Sequence, residues 1–132
     1  MRFVLLSLSI FLFITKSQSQ SLAGHWRWIN KPEDRSFEIE LAKPKTGDSV
    51  YDFVGEHCGV YYNGGRLDCS EEISISLKKE KGGVFIGTIR SAYSDSTSRI
   101  KLTILSEEKQ IRWEVTDAKG QFYFPYEAIL ER

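Results

Sequence analysis

The chain has 132 residues, of which 41% are hydrophobic, and its 18 basic side chains balance its 18 acidic ones. A balanced charge leaves no surplus of cations to neutralise phosphates, so we expect no nucleic-acid partner. The length suits one hydrophobic core rather than two.

Residues 1–19 have the pattern of a secretory signal peptide. A basic residue precedes an apolar run over residues 3–14, and small residues stand two apart at Ser17 and Ser19. The run is too short to cross a bilayer core of about 30 Å. We therefore predict a signal peptide over 1–19, a single domain over 20–132, and a secreted or periplasmic location.

Cleavage at this point removes two basic residues and no acidic ones, which leaves 16 basic (18 − 2) against 18 acidic side chains. The predicted mature chain contains no apolar run long enough to span a membrane. We expect it to be a monomer without a cofactor or a metal ion.

The rest of the chain alternates short β-type runs with turn residues. Apolar and polar residues alternate at period two in several runs, as in residues 37–41. In chain order, the predicted runs are 22–29, 37–41, 50–62, 66–69, 73–78, 84–90, 100–104, 111–116 and 122–130. Short links join neighbouring strands, so we predict an all-β, antiparallel up-and-down barrel of about eight strands. Pro125 lacks an N–H, so the last run must bend there or leave part of the seam open.

Two cysteines flank a hairpin signal. Asn63-Gly64 is typical of a two-residue hairpin turn. If these residues form the turn, paired positions sum to 127 and Cys58 faces Cys69. A metal pair with His57 and a redox couple are the alternatives, but the spacing fits neither a zinc nor a CxxC pattern. We predict a structural Cys58–Cys69 disulfide.

The tripeptide Gly24-His25-Trp26 lies on the first predicted strand. It resembles the Gly-x-Trp signature of lipocalins and other small calycin barrels. In that family the tryptophan plugs the closed end of the barrel and a late arginine packs across it. The resemblance implies this structural role for Gly24 and Trp26, with Arg112 or Arg132 as the arginine. The chain lacks the carboxy-terminal helix and Thr-Asp-Tyr motif of lipocalins, and its size is closer to avidin-like barrels or secreted barrel inhibitors of bacterial metalloproteases.

The two histidines are the candidates for acid–base or metal chemistry. His25 alternates with Trp26 and is expected to face outward. His57 shares the parity of Phe53, which predicts an inward or rim position. We interpret His57 as a hydrogen-bonded structural histidine beside the disulfide, because no base–nucleophile constellation accompanies it.

Three acidic residues follow the hairpin. Asp68, Glu71 and Glu72 could bind calcium weakly or act as an acid–base pair, but they lack the ligand spacing of a calcium loop. We interpret them as solvated turn charges and predict no catalytic residues.

Aromatic residues supply the candidate binding sites. An eight-stranded barrel is either packed solid or holds one small ligand. The candidates for lining a ligand site are Trp28, Phe53 and Trp113. Beside the hairpin tip, the candidates for contacting a protein partner are Tyr61, Tyr62 and Arg66. The alternative is that these tyrosines pair across strands.

We predict an exported, non-enzymatic, lipocalin-like protein that binds a small apolar molecule. The alternative is a secreted protein-binding module, such as an inhibitor of an exported hydrolase. A pocket of at least roughly 300 Å³ would favour the ligand. A solid core with an exposed aromatic patch would favour the protein partner.

Overall fold

The computed structural model describes residues 21–105 and 109–132, so the predicted signal peptide lies outside the described residues. These residues form nine β-strands and a 3₁₀ turn over Tyr62–Gly64. In chain order the strands are β1 (Gly24–Trp28), β2 (Ser36–Ala42), β3 (Phe53–Tyr61), β4 (Arg66–Cys69), β5 (Ile75–Lys79), β6 (Val84–Arg90), β7 (Thr97–Ile104), β8 (Gln110–Asp117) and β9 (Glu127–Glu131).

Eight of the strands close into an antiparallel barrel. The order around the wall is β1, β2, β3, β5, β6, β7, β8, β9, and β9 pairs again with β1. β4 is an additional strand that shares one edge of β3 with β5: β5 pairs with residues 53–55 and β4 with residues 58–61. The predicted fold class is therefore confirmed, with one strand more than a simple meander.

Alternation along the strands fills the interior of the barrel. In β2, Phe37, Ile39 and Leu41 are buried, and the residues between them are exposed. The largest fully buried side chains form one core: Trp26, Trp113, Phe37, Phe85, Phe124 and Leu22. The rings of Phe37 and Trp113 lie 4.9 Å apart in this core.

The amino-terminal end of β1 marks one end of the barrel, called here the Gly24 end. The Arg132 guanidinium lies 4.4 Å from the centre of the Trp26 ring and also donates to the Ser21 carbonyl oxygen at 2.7 Å. Trp26 donates its indole N–H to the Leu22 carbonyl oxygen. Of the two candidate arginines, Arg132 is therefore the one that packs on the tryptophan, whereas Arg112 is exposed on β8.

Residues 118–126, called here the closing segment, cover the opposite end. The sequence predicts a strand over 122–130, but only Glu127–Glu131 is extended and paired. Phe124 instead inserts into the core, 6.4 Å from Trp113 between ring centres, and Pro125 lies buried before β9. The indole N–H of Trp113 donates to the Pro125 carbonyl oxygen at 2.9 Å, which fixes the segment in place.

The β3–β4 hairpin has the predicted register and disulfide. Cys58 is directly opposite Cys69, and the two are bonded. The loop differs from a two-residue turn because Tyr62 joins it: Tyr62, Asn63 and Gly64 have φ of 56°, 53° and 93°. The amide of Gly65 donates to the Tyr62 carbonyl oxygen at 3.0 Å, so the loop spans residues 62–65.

Candidate functional site

Four tyrosines and an arginine from four chain segments meet at the end of the barrel opposite Gly24. This tyrosine patch consists of Tyr61, Tyr62, Tyr93, Tyr123 and Arg35. Ring centres lie 6.2 Å apart for Tyr61–Tyr62, 5.9 Å for Tyr61–Tyr123 and 4.8 Å for Tyr93–Tyr123. Each pair packs edge to face, the preferred geometry for aromatic rings, so the patch is an ordered surface.

Two tyrosines of the patch are exposed to solvent, and a third is buried and fixes the patch to the barrel. Tyr62 is 57% exposed and Tyr93 46%, whereas Tyr61 is buried at 7%. The Arg35 guanidinium stacks 4.5 Å from the Tyr61 ring centre and 5.7 Å from that of Tyr62. Both Asp34 carboxylate oxygens accept hydrogen bonds from Arg35, at 2.9 and 3.2 Å. The arginine is thereby held in place with its charge balanced.

The same contacts shift the acid–base behaviour of the patch. The hydrogen bond from Arg35 lowers the pKa of Asp34, and the reciprocal hydrogen bond raises the pKa of Arg35. Burial raises the pKa of Tyr61 to about 12, although the charge of Arg35 acts in the opposite direction. Tyr61 therefore remains a neutral phenol over the physiological pH range.

The backbone of Tyr62 adopts a conformation that side chains rarely accept. Its φ of 56° lies in the left-handed region, where a bulky residue is an outlier and costs on the order of 1–3 kcal/mol. Strain of this kind clusters at functional sites. The loop places an unfavourable but exposed tyrosine where glycine or asparagine would fit with less strain.

A buried polar network lies beneath the patch. His57 and Asp68 have no exposed side-chain surface, and Ser74 and Ser91 are also buried. His57 Nε2 is 2.8 Å from Asp68 Oδ1, and His57 Nδ1 is 2.6 Å from the Ser74 hydroxyl. Because a carboxylate only accepts, Nε2 donates to Asp68, and in the neutral ring Nδ1 accepts from Ser74.

The interpretation of Asp68 as a solvated turn charge is wrong. Besides His57, its carboxylate accepts from the Ser91 hydroxyl at 2.6 Å and from the amides of Ala92 and Tyr123 at 2.7 and 3.1 Å. Burial alone would raise the pKa of Asp68, but these hydrogen bonds together lower it below its ordinary value of 3.8. Glu71 and Glu72 are exposed, as predicted.

Ser74, His57 and Asp68 are connected in the order of a serine-hydrolase triad, but all three residues are buried. A nucleophile must be reached by its substrate, whereas the His57 and Asp68 side chains are inaccessible and Ser74 is 7% exposed. Asp68 Oδ2 also receives two further donors, which makes the carboxylate a cross-link between segments. His57 points inward and is hydrogen-bonded, as its interpretation as a structural histidine requires.

The predicted ligand-lining residues all lie in the packed core but not in one pocket. Trp28 donates to the Asn30 side chain at 2.7 Å near the patch end, and Phe53 packs on Phe85 towards the Gly24 end. Trp113 packs against Phe37 and Phe124. Their role in ligand binding stays a prediction.

Two of the predicted partner-binding residues, Tyr61 and Tyr62, lie together in the patch. Arg66 is exposed and donates to the Gly65 carbonyl oxygen, while Arg35 is the arginine that stacks on the tyrosines. Sequence reasoning missed Arg35, Tyr93 and Tyr123, because they reach the patch from loops with no local signal.

A groove of about 610 Å³ lies on the outer wall of the barrel near the Gly24 end. Ala42, Val54 and Ile73 supply apolar surface, and Lys43 and Glu56 add charges of both signs. These side chains alternate with the inward-facing ones, so the groove is separate from the barrel interior.

No family model, curated protein or solved structure matches the chain. Over residues 21–105 and 109–132, no group of three or more His, Cys, Asp or Glu side chains is arranged to hold a metal ion. The same residues include no helix with the length and apolar character needed to cross a membrane.

Proposed function

We propose that this chain is a non-enzymatic binding protein that recognises a protein partner through the tyrosine patch. The observation that carries the proposal is Tyr62, an exposed ring held at a strained positive φ within an ordered cluster. Tyrosine and arginine dominate binding hot spots because they offer large, stiff contact area together with polar atoms. The interior of the barrel is filled by packed side chains. This supports binding at the surface patch rather than inside the barrel.

The test compares patch variants with a tyrosine elsewhere on the barrel. Tyr62→Ser and Tyr93→Ser each remove an exposed ring from the patch. Tyr51→Ser is the matched control, since Tyr51 is 43% exposed but lies in the connection between β2 and β3 at the Gly24 end. Each protein is immobilised and incubated with the secreted proteins of its source, and retained proteins are quantified by mass spectrometry.

We expect a retained partner to bind the wild type and Tyr51→Ser equally. Loss of a hot-spot tyrosine costs at least about 2 kcal/mol, so Tyr62→Ser and Tyr93→Ser should bind roughly 30-fold more weakly. Equal retention by all four proteins, with the variants folded by circular dichroism, would refute the patch as the binding surface.

A lipocalin-like ligand carrier is the second candidate, and the arginine–tryptophan contact at the Gly24 end favours it. Gly24, Trp26 and Arg132 have the relation that the calycin resemblance implies. A ligand would have to displace Phe124 and the closing segment to enter the barrel. Native mass spectrometry of the protein purified from its own compartment tests this: a bound small mass supports a carrier, and a bare chain supports the patch.

Export remains part of the proposal. A disulfide in so small a fold suits an oxidising compartment. Amino-terminal sequencing of the protein from the periplasm or medium tests it, and we expect a start near Gln20. An intact amino terminus in the reducing cytosol would refute export.

A further inference from the structure

One buried carboxylate connects the chain segments that carry the tyrosine patch. Asp68 belongs to β4, in the hairpin whose tip holds Tyr61 and Tyr62, and is opposite Gly59 in the register. Its Oδ1 accepts from the amide of Ala92, the residue before Tyr93. Its Oδ2 accepts from the amide of Tyr123 itself. Three segments distant in sequence thus converge on one side chain.

Neither of the other two segments belongs to a strand. Tyr93 lies in the 91–96 loop, whose backbone hydrogen bonds include two within the loop, from Ser91 to Ser96 and from Asp95 to Ser91. Tyr123 lies in the closing segment. The two rings are 4.8 Å apart between centres, the shortest ring-to-ring separation in the patch, and the amides of Ala92 and Tyr123 donate to different oxygens of Asp68.

The charge state and shape of the carboxylate suit this arrangement. An ionised carboxylate offers about four lone-pair sites and no donor. Asp68 receives four donors: the His57 ring, the Ser91 hydroxyl and the two amides. An asparagine would present an NH₂ group to one pair of these donors, which would leave the backbone amide of that pair without an acceptor in a site closed to water.

We propose that Asp68 is the positioning residue of the tyrosine patch: its carboxylate sets the spacing of Tyr93, Tyr123 and the hairpin tip. Its relevance to binding rests on the proposed function, but its effect on patch geometry does not. Ser91 assists, because its hydroxyl donates to Asp68 while accepting from the Tyr93 amide at 3.1 Å.

Nuclear magnetic resonance of the full mature chain tests the proposal. Asp68→Asn is compared with wild type and with Asp48→Asn, a control in the exposed 43–52 connection at the Gly24 end. The readouts are nuclear Overhauser contacts between the Tyr93 and Tyr123 rings and exchange rates of the Ala92 and Tyr123 amides. Amides of β6 and β7 report whether the barrel is intact.

We expect Asp68→Asn to lose the ring contact and to exchange whichever of the two amides faces the new NH₂ group at least about tenfold faster, because that amide loses its acceptor. Asp48→Asn should match the wild type. Unchanged ring contact and exchange in a folded Asp68→Asn would overturn the proposal. If that variant does not fold, Ser91→Ala replaces it, and an unchanged Tyr93–Tyr123 contact there would overturn the proposal equally.

The partner assay separates this inference from the proposed function. If Asp68→Asn loses the Tyr93–Tyr123 ring contact but binds the partner as well as the wild type does, the positioning role stands and the patch is not the binding surface. If it weakens binding with the ring contacts intact, the positioning role is wrong.

Discussion

Replacing Gly59 with alanine should push the closing segment away from the barrel. A methyl group at Gly59 would lie 1.8 Å from the carbonyl oxygen of Tyr123. Ordinary contact begins at 3.4 Å, so the segment must retreat by about 1.6 Å (3.4 − 1.8). The obstacle is backbone rather than a flexible side-chain tip, and close-packed interiors cannot absorb such a shift locally.

Two costs of this retreat can be added. Overpacking a core costs about 1–3 kcal/mol. Moving Tyr123 also breaks its 3.1 Å amide bond to the charged Asp68, worth about 1.5–3 kcal/mol. Together they predict that Gly59→Ala lowers the free energy of unfolding by about 2.5–6 kcal/mol, a large share of the 5–15 kcal/mol typical of a domain.

Urea unfolding followed by tryptophan fluorescence measures this loss. Gly47→Ala is the matched control, because its added methyl group meets no atom within 4 Å. It should be neutral or stabilising by up to about 1 kcal/mol. If Gly59→Ala were as stable as Gly47→Ala, the closing segment would not pack on β3 and the reasoning would fail.

Three further predictions concern the disulfide and two titrating groups. Reducing Cys58–Cys69, which closes a loop of sequence separation 11, should cost about 3 kcal/mol in urea unfolding; a change below about 1 kcal/mol would contradict this. The pKa of Asp68 is lowered on folding, so its contribution to stability is present above about pH 4 and is lost as pH falls through the folded pKa; its ¹³C carboxyl resonance should titrate below 3.8, and a higher midpoint would contradict the network. The pKa of Tyr61 is raised on folding, so its contribution is present below about pH 10 and is lost as pH rises towards 12. Absorbance at 295 nm should show one tyrosine ionising near pH 12 that is absent in Tyr61→Phe, and complete ionisation by pH 11 would refute its burial.

The barrel could be predicted because its signals are local. Period-two alternation locates most of the strands, and the turn residues between them indicate antiparallel neighbours. The hairpin register followed from the Asn63-Gly64 signal, and it placed Cys58 opposite Cys69. The same register placed Asp68 opposite Gly59, two positions from His57 and on its side of the strand. This shared side of the hairpin could have predicted that His57 and Asp68 are buried together. The charge of Asp68 by itself wrongly indicated an exposed side chain.

The closing segment could not be predicted, because tertiary packing overrides its local preference. Residues 122–126 are aromatic and alternate weakly, which is typical of a strand. The structure instead inserts Phe124 into the core and uses the Pro125 carbonyl oxygen as an acceptor for Trp113. The tyrosine patch depends on this segment, so its full membership could not be predicted either.

The patch combines a strained tip with several restraints on the hairpin and its neighbours. Tyr62 at positive φ costs on the order of 1–3 kcal/mol. Without restraints, the hairpin tip would relax to a more favourable backbone conformation, and the Tyr62 ring would lose its fixed position. The disulfide ties the strands behind the tip, the Asn63 amide donates to the Asp34 carbonyl oxygen at 2.9 Å, and Asp68 holds the two neighbouring segments. If position 62 had no role beyond solubility, a glycine there would make the protein more stable by removing the cost of the positive φ. Restraints from three directions around an unfavourable, exposed tyrosine therefore argue for a surface organised to contact a partner.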